Sequence, residues 1–393
     1  MADRTGEARS LLKVVLALGT TQTLAWASGI YIPAILAEPI ARDLATSPNM
    51  LFAAVSLALL ISALLGPRVG RHIDIVGGRG VLAGSNLLFA AGLTLLGLAN
   101  SPAMLFVAWA VLGVALSCGL YDAAFATLNR IFGLDARVPI SGITLMGGLA
   151  STVGWPLTAW GVAEIGWRET CFAWAAAHLL IGLPLNALML PRVPRAAPKV
   201  DSAGKPDMRM DRAMWLLAFT FAAAWLVTGA MAAHLPRLIM ATGASYSDAI
   251  LAASLLGPAQ VAARIAELTF GGRIHPLISA RLAVTAHPLG ALLLGLAGAK
   301  LAVVFAMLHG AGNGVITIAR GTVPLAVFGP ENFGYRIGLI GAPSRIAQAF
   351  APLLFGLLID RIGAATLLVT SALSLSALVA LLVLSPTGGR SDL

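Results

Sequence analysis

Arg264, Arg320, Arg345 and Asp122 are charged side chains within long apolar runs of this 393-residue chain. An ionised group in the middle of a bilayer costs about 2.5–3.5 kcal/mol on insertion scales, so each of the four needs a reason. The planar guanidinium group of arginine binds a carboxylate through two parallel hydrogen bonds. These residues therefore predict one of two roles within a membrane: they bind an anionic ligand, or they form ion pairs with one another.

Arg264 and Arg345 fall in the eighth and eleventh apolar runs, at similar predicted depths of about 8–12 Å from one face. Two guanidinium groups at that depth could clamp a single carboxylate. Each arginine has an alternative partner. Arg264 could pair with Glu267 one turn away, or extend its head group to the interface, and Arg345 could pair with Asp74.

Asp122 lies in the fourth apolar run and also has several possible roles. It could contact Asn129 or Arg130 further along its own helix. It could instead accept a proton, because burial disfavours an ionised carboxylate. Its predicted depth is close to that of Arg320 in the tenth run, which makes an ion pair between the two a third possibility. Arg320 itself is expected near the membrane boundary, in a structural or gating role.

The elements that carry these residues are predicted to be membrane helices. The chain is 58% hydrophobic and only 11% charged, with a mean hydropathy of +0.88, whereas a soluble domain has about 25% charged residues. Runs of about 20 apolar residues predict spanning helices. Twelve such runs are found, at 12–36, 49–69, 80–99, 103–127, 139–163, 169–190, 213–236, 248–270, 277–298, 301–325, 337–359 and 364–385.

The twelve runs divide into two sets of six. Residues 191–212 are the long polar stretch between them and predict a flexible cytoplasmic linker between bundles at 1–190 and 213–393. The halves also share short sequences. Leu65-Gly66-Pro67 corresponds to Leu256-Gly257-Pro258, and Gly77-Gly78-Arg79 corresponds to Gly271-Gly272-Arg273. The pattern predicts an internal duplication.

The distribution of the 26 lysines and arginines predicts the orientation. They concentrate on the segments that share a side with the N-terminus, which places both termini in the cytoplasm of a bacterial-type inner membrane. Because they are spread over many segments, they do not indicate nucleic-acid binding. The two cysteines and six histidines show no metal or redox spacing, so no cofactor and no metal is expected. We expect a monomer whose partners are a small solute, a coupling ion and the lipid bilayer.

The segment from Gly70 to Arg79 reads Gly-x3-Asp-x2-Gly-Gly-Arg and lies between the second and third runs. It resembles the loop signature of the major facilitator superfamily of secondary transporters. Gly70 would let two helix ends approach, Asp74 would sit at the positive end of a neighbouring helix, and Arg79 would hold the loop at the inner surface. The resemblance implies an all-α fold with twelve transmembrane helices in two six-helix bundles, and a substrate site between bundles that rock.

The same resemblance implies which side chains face the cavity. The first and seventh helices line it in this superfamily, so Tyr31 and His234 would contact substrate, and His234 could instead carry a coupling proton or be a hydrogen-bonded residue at a helix end. The fourth and tenth helices face each other, which makes Asp122 and Arg320 an inter-bundle pair at the inner gate. Further cavity candidates are Gln22, Trp26, Tyr121 and Asn313.

The positions of Arg264 and Arg345 resemble the cationic residues of the oxalate and monocarboxylate branch of the superfamily. We therefore predict a secondary active transporter for a small organic anion, a carboxylate, driven by proton symport or anion exchange. The alternative is a proton-driven exporter of drugs or amphipathic metabolites, in which Asp122 would exchange cargo for a proton. An enzyme is not expected, because no nucleophile or metal cluster is found at helical spacing, and the tails leave no room for the signalling domain of a sensor.

Overall fold

The computed structural model describes residues 2–195 and 210–384. Most of the predicted linker 191–212 therefore lies outside the described residues, as do the last residues of the C-terminal tail. Within the described ranges the chain is almost entirely helical. Apolar runs in a bilayer have to satisfy their backbone hydrogen bonds internally, and a helix does this within one segment.

The first half of the described chain contains nine α-helices. They are α1 Ala2–Trp26, α2 Pro33–Asp43, α3 Pro48–Val76, α4 Arg79–Gly97, α5 Pro102–Gly119, α6 Tyr121–Phe132, α7 Arg137–Gly147, α8 Ala150–Ile165 and α9 Trp167–Ala177. The π-helical segment Ala27–Tyr31 follows α1, and two more, His178–Gly182 and Leu185–Met189, follow α9.

The second half of the described chain contains seven α-helices. They are α10 Arg212–Met240, α11 Tyr246–Ser254, α12 Leu256–Phe270, α13 Pro276–Ala297, α14 Ala302–Phe328, α15 Phe333–Ile362 and α16 Thr366–Val383.

Eight stretches of the described chain are long and apolar enough to cross a membrane. Three of them, Pro102–Ile165, Pro276–Phe328 and Phe333–Val383, contain 51 residues or more, which at 1.5 Å per residue is about twice the length of one crossing. A bent pair, Leu11–Tyr31 with Pro33–Asp43, accounts for one further span. The helices agree with the predicted twelve-helix membrane fold.

The structure corrects three predicted helix boundaries. The first span continues to Asp43 and bends by 41° after the π segment that ends at Tyr31. α3 extends to Val76, so Gly70 and Asp74 lie on its last turns and not in a loop. This helix ends where a glycine permits a positive φ, at Gly77 (φ 94°). The fourth span is interrupted at Leu120, which has extended backbone, so Asp122 stands in the first turn of α6.

The two bundles meet most extensively where α3 packs antiparallel against α15. Ser56 donates a hydrogen bond to the Ala349 carbonyl (3.1 Å). About four turns further along α3, the backbones come so close that a Cβ on Gly70 would overlap the Gly334 carbonyl. Small residues allow such close approach of membrane helices. Four apolar clusters form the core: two lie wholly in the second half of the chain, and two consist mainly of first-half residues but also include Ala349 in one and Leu325, Phe333 and Ile337 in the other.

Candidate substrate site and gate

Asp122 is the centre of a buried ion-pair network between the bundles. Arg320 of α14 donates to both carboxylate oxygens, from Nε at 2.9 Å and from Nη2 at 3.0 Å. Arg345 of α15 donates from Nη2 at 2.5 Å and uses Nη1 to reach Ser62 of α3 at 2.6 Å. The Arg320 guanidinium also lies 4.7 Å from the Trp225 ring, a cation–π contact. One acid therefore joins α6, α14 and α15, and the network retains one net positive charge.

The predicted contact between Asp122 and Arg320 is present in the structure. Arg345 was expected either beside Arg264 on a substrate or beside Asp74, and it contacts Asp122 instead. Asn129 and Arg130, the other partners considered for Asp122, donate to backbone carbonyls: Asn129 to Pro330 and Arg130 to Pro194 (both 2.9 Å).

Arg264 lies at the boundary between the bundles and is only 4% exposed. Its Nε donates to the Gly314 carbonyl of α14 at 3.4 Å, a long hydrogen bond. Its Nη1 has no hydrogen-bond partner and lies against Gly148 at the end of α7, where a Cβ would overlap it. The predicted partner Glu267 is engaged elsewhere, since Arg137 of α7 donates to it at 3.2 Å. Arg264 is thus a buried cation to which no acid of the described residues is bound.

An aromatic wall, formed by Trp26, Tyr31 and Tyr121, stands next to Arg264. The ring centroids of Trp26 lie 5.0 Å from Tyr121 and 6.3 Å from Tyr31. The Tyr121 hydroxyl lies against Gly147, the neighbour of the glycine that Arg264 contacts. The predicted cavity residues of α1 and α6 are therefore brought together with the arginine of α12.

Two further buried polar atoms on α1 lack partners. The Trp26 indole N–H has none, and Gln22, one turn earlier, donates to the Gly119 carbonyl (2.7 Å) while its Oε1 is unpaired. An unpaired buried donor costs about 1–3 kcal/mol. With Arg264 Nη1, these side chains contribute two unsatisfied donors and one unsatisfied acceptor, groups that a polar ligand could satisfy.

One end of the molecule carries the Gly77–Gly78 turn and the described ends of the linker, and we call it the linker side. Asp74 joins the two bundles at this end. Its two carboxylate oxygens accept the backbone N–H groups of Gly334 and Tyr335, both at 2.8 Å, in the first turn of α15. A carboxylate at a helix N-terminus is stabilised by the orphan N–H groups and the helix dipole. Arg79 is the first residue of α4, beyond the turn.

The remaining predicted site residues are outside this centre. Partly exposed His234 of α10 has Nε2 2.7 Å from the Pro352 carbonyl, to which it donates. The Asn313 side-chain oxygen accepts the Thr228 hydroxyl at 2.8 Å, within the second bundle.

Sequence reasoning missed Ser62, Arg137 with Glu267, and the contact between His287 and His309. These contacts join residues that are between 22 and 283 positions apart, so no local spacing indicated them.

Two helical bundles around a buried polar centre, joined by ion pairs on the linker side, define a multi-pass membrane transporter. A family model described as Major Facilitator Superfamily matches residues 18–301. The chain belongs to this superfamily, which is the class that the Gly70–Arg79 segment predicted. Proteins of this superfamily are transporters and not enzymes.

Relatives of the chain include an uncharacterized 38 kDa protein in the 23S RNA operon of Thermoproteus tenax, 28% identical over 328 residues that make up 83% of each chain. Facilitated glucose transporter member 10 of human solute carrier family 2 is 35% identical over 142 residues, 34% of this chain and 25% of that protein. The second likeness covers one part of the chain only.

Two solved structures share the fold over 95% of this chain. The human organic anion transporter MFSD10 (TETRAN) superposes with a TM-score of 0.73 at 17% identity, over 99% of its own length. The proton:xylose symporter XylE, solved with 6-bromo-6-deoxy-D-glucose, superposes with a TM-score of 0.69 at 11% identity, over 95% of its length. At these identities the likeness establishes the fold.

Proposed function

We propose that this transporter moves a small organic anion, a carboxylate, across a bacterial-type inner membrane by proton symport or anion exchange. The observation that carries the proposal is Arg264, a buried guanidinium group with one unpaired nitrogen beside an aromatic wall. A carboxylate would satisfy Arg264 Nη1 and the Trp26 indole N–H, and the rings would pack on its apolar part. The similarity in fold to an organic anion transporter is consistent with this cargo.

We assign different roles to the two arginines that the sequence paired. Arg264 makes the first contact with the anion. Arg345 holds the gate through Asp122 and Ser62 in this conformation, and it becomes available for the anion when the bundles separate on the linker side. Tyr31, Tyr121, Gln22 and Trp26 complete the site around Arg264.

The proposed mechanism is rocking of residues 1–190 against 213–393 about the site, with 191–212 as the connecting linker. With the linker side in the cytoplasm, the conformation described above is closed towards the cytoplasm. Substrate then enters from the opposite side, where Arg168 pairs with Asp43 and Arg237 with Asp360, each within one bundle.

Thermal stabilisation of the purified protein by a panel of mono- and dicarboxylates, oxalate, acetate and L-lactate among them, tests the cargo. We expect at least one carboxylate to raise the melting temperature in the wild type. In Arg264→Gln the affinity for it should fall at least tenfold, a loss of about 1.4 kcal/mol or more in binding free energy. Arg68→Gln is the matched control, since exposed Arg68 donates to the Leu64 carbonyl of its own helix.

The alternative, a proton-driven exporter of amphipathic cargo, is favoured by the aromatic wall alone. Stabilisation by hydrophobic cations and by no carboxylate would support that reading and refute the anion proposal. Affinity for a carboxylate that is unchanged in Arg264→Gln would remove the assigned site.

A further inference from the structure

A hydrogen-bonded histidine pair lies within the second bundle, apart from the gate and from Arg264. His287 of α13 and His309 of α14 approach to 3.0 Å between their Nδ1 atoms, and each residue is 4% exposed. His287 Nε2 lies 2.8 Å from the Thr370 hydroxyl oxygen on α16. Phe305 packs against both rings, at 5.5 and 6.4 Å between centroids.

The hydrogen bonds determine where the protons of this pair lie. The Thr370 hydroxyl donates to the Leu367 carbonyl at 3.1 Å, so its oxygen accepts from His287 Nε2–H. A neutral imidazole has one donor and one acceptor nitrogen, so His287 Nδ1 accepts and His309 Nδ1–H donates. This arrangement leaves His309 Nε2 with its lone pair free, as the single proton-accepting atom of the pair.

The pair borders a cavity of about 30 Å³ that reaches from His287 and His309 to Thr228, Asn313 and Ser374. One water molecule needs about 10–15 Å³ of such volume and two to four polar partners. The cavity has the volume and the polar lining to hold water, and water would give a proton a route to the pair.

No acid, lysine or arginine is among the described residues that line this cavity. α16, which supplies Thr370, has no charged residue. The elements that carry the pair or pack around it hold the following titratable groups: Arg212, His234 and Arg237 of α10; Tyr246 and Asp248 of α11; Arg264 and Glu267 of α12; Arg281 of α13; Lys300; Arg320 of α14; Arg137 of α7; Asp135; and Tyr335, Arg336, Arg345, Asp360 and Arg361 of α15. Among the described residues, none of these acids hydrogen-bonds to either histidine, so a proton on the pair would be a new positive charge without a carboxylate beside it.

α14 connects this pair to the anion site. His309 and Asn313 are four residues apart and line the same cavity, and the next carbonyl, of Gly314, accepts Arg264 Nε. At 1.5 Å per residue His309 lies about 8 Å along the helix axis from Gly314. A buried cation needs a nearby counter-charge, and an anion held at Arg264 would supply it.

We propose that the His287–His309 pair is the proton-binding site of this transporter, with His309 Nε2 as the accepting atom. A hydronium ion delivered through water in the cavity gives its proton to Nε2 and leaves a water molecule behind, and no covalent bond between heavy atoms changes. Anion binding then favours proton binding, and the converse holds to the same extent because coupling between two sites is reciprocal. The coupling rests on the proposed function, whereas the proton site itself does not.

Nitrogen NMR of histidine-labelled protein in lipid nanodiscs tests the proton site without any anion. As the pH is lowered, His309 should be the first of the buried histidines to become an imidazolium, and its signal should be absent in His309→Gln. The matched control is His178→Gln. His178 is a buried histidine of the first bundle with both nitrogens engaged, by Ser28 at 2.8 Å and Asn86 at 2.9 Å. Protonation of His178 before His309, or survival in His309→Gln of the signal assigned to His309, would overturn the proposal.

Transport in proteoliposomes tests the coupling, with radiolabelled oxalate and L-lactate as probes. In His309→Gln we expect pH-gradient-driven accumulation to be lost and exchange of internal for external anion to be retained. His72→Gln, an exposed histidine on α3, serves as the control and should keep both. Full gradient-driven accumulation in His309→Gln would overturn the coupling. If the wild type transports neither oxalate nor L-lactate, the result counts against the proposed function, and the NMR experiment alone decides the proton site.

Discussion

At the scale of single residues, Asp122 is unusual because it is shared by two arginines of the other bundle. Breaking a buried ion pair by removing one partner costs about 3–5 kcal/mol, since it leaves an uncompensated charge. The cost depends on which partner is removed. Loss of Arg320 leaves Asp122 paired with Arg345, whereas loss of Asp122 leaves two guanidinium groups without an acid.

We therefore predict that Asp122→Ala lowers the thermal stability of the protein more than Arg320→Ala does. The charge swap that combines Asp122→Arg with Arg320→Asp should fail to restore wild-type stability, because Arg345 would then face the new arginine. Thermal unfolding of the purified variants measures this order. A charge-swapped protein as stable as the wild type would show that Arg345 does not belong to the network.

A second prediction at this scale concerns Gly341 of α15, which packs against the ion pair between Asp122 and Arg320. A Cβ there would come within 2.5 Å of Arg320 Nη2 and 2.8 Å of Asp122 Oδ2. Gly341→Ala should displace the ion pair and reduce transport to the level of Arg320→Ala. Gly356→Ala, on the same helix, is the control, because its nearest contact is the His234 side chain at an ordinary 3.4 Å. Normal transport by Gly341→Ala would mean that the pair tolerates displacement.

At the scale of helices, the seam between α3 and α15 holds the linker side together. It combines close backbone packing at Gly70 and Gly334 with the two hydrogen bonds that Asp74 accepts from the first turn of α15. Asn332, which precedes that turn, has a left-handed φ of 50° and provides no side-chain cap, so Asp74 of the other bundle supplies the cap. The loop motif thus acts through helix ends, as the resemblance to the superfamily implied.

The seam predicts different effects for two glycines one turn apart on α3. Gly70→Ala would place a methyl group into the Gly334 backbone and should destabilise the closed seam by about 1–3 kcal/mol. Gly66→Ala meets its nearest atom at 3.7 Å and should be tolerated. Hydrogen exchange of the Gly334 and Tyr335 amides reports seam opening. Equal exchange rates in the two variants would contradict the packing argument.

At the scale of the whole molecule, the ion pairs differ between the two ends. On the linker side Arg137 pairs with Glu267 across the bundles, while at the opposite end Arg168 and Arg237 pair with acids of their own bundles. Contacts within one bundle are kept when the bundles rock, whereas contacts across the bundles have to break. The described conformation is therefore held closed on the linker side.

We predict that Glu267→Gln shifts the protein towards opening on the linker side. The partly exposed pair is worth at most ~1 kcal/mol, or about a fivefold change in population. Spin labels at Leu134→Cys and Gly272→Cys, in a background without Cys118 and Cys171, would measure the distance between the bundles. Asp43→Asn removes a more exposed pair that lies within one bundle and should leave that distance distribution unchanged.

The sequence by itself determined the membrane class, the helices and the superfamily. Hydropathy over about 20 residues is a local property, and a spanning helix satisfies its own backbone. The sequence also identified Asp122, Arg264, Arg320 and Arg345 as buried charges that need a reason.

Only the tertiary structure decided which of these charges are paired, because pairing depends on the rotation of each helix and on the register between the bundles. It placed Arg345 on Asp122, left Arg264 Nη1 free, and brought His287 to His309 across 22 residues. Side chains on different helices meet through packing of whole helix faces, and no spacing along a single helix encodes that contact.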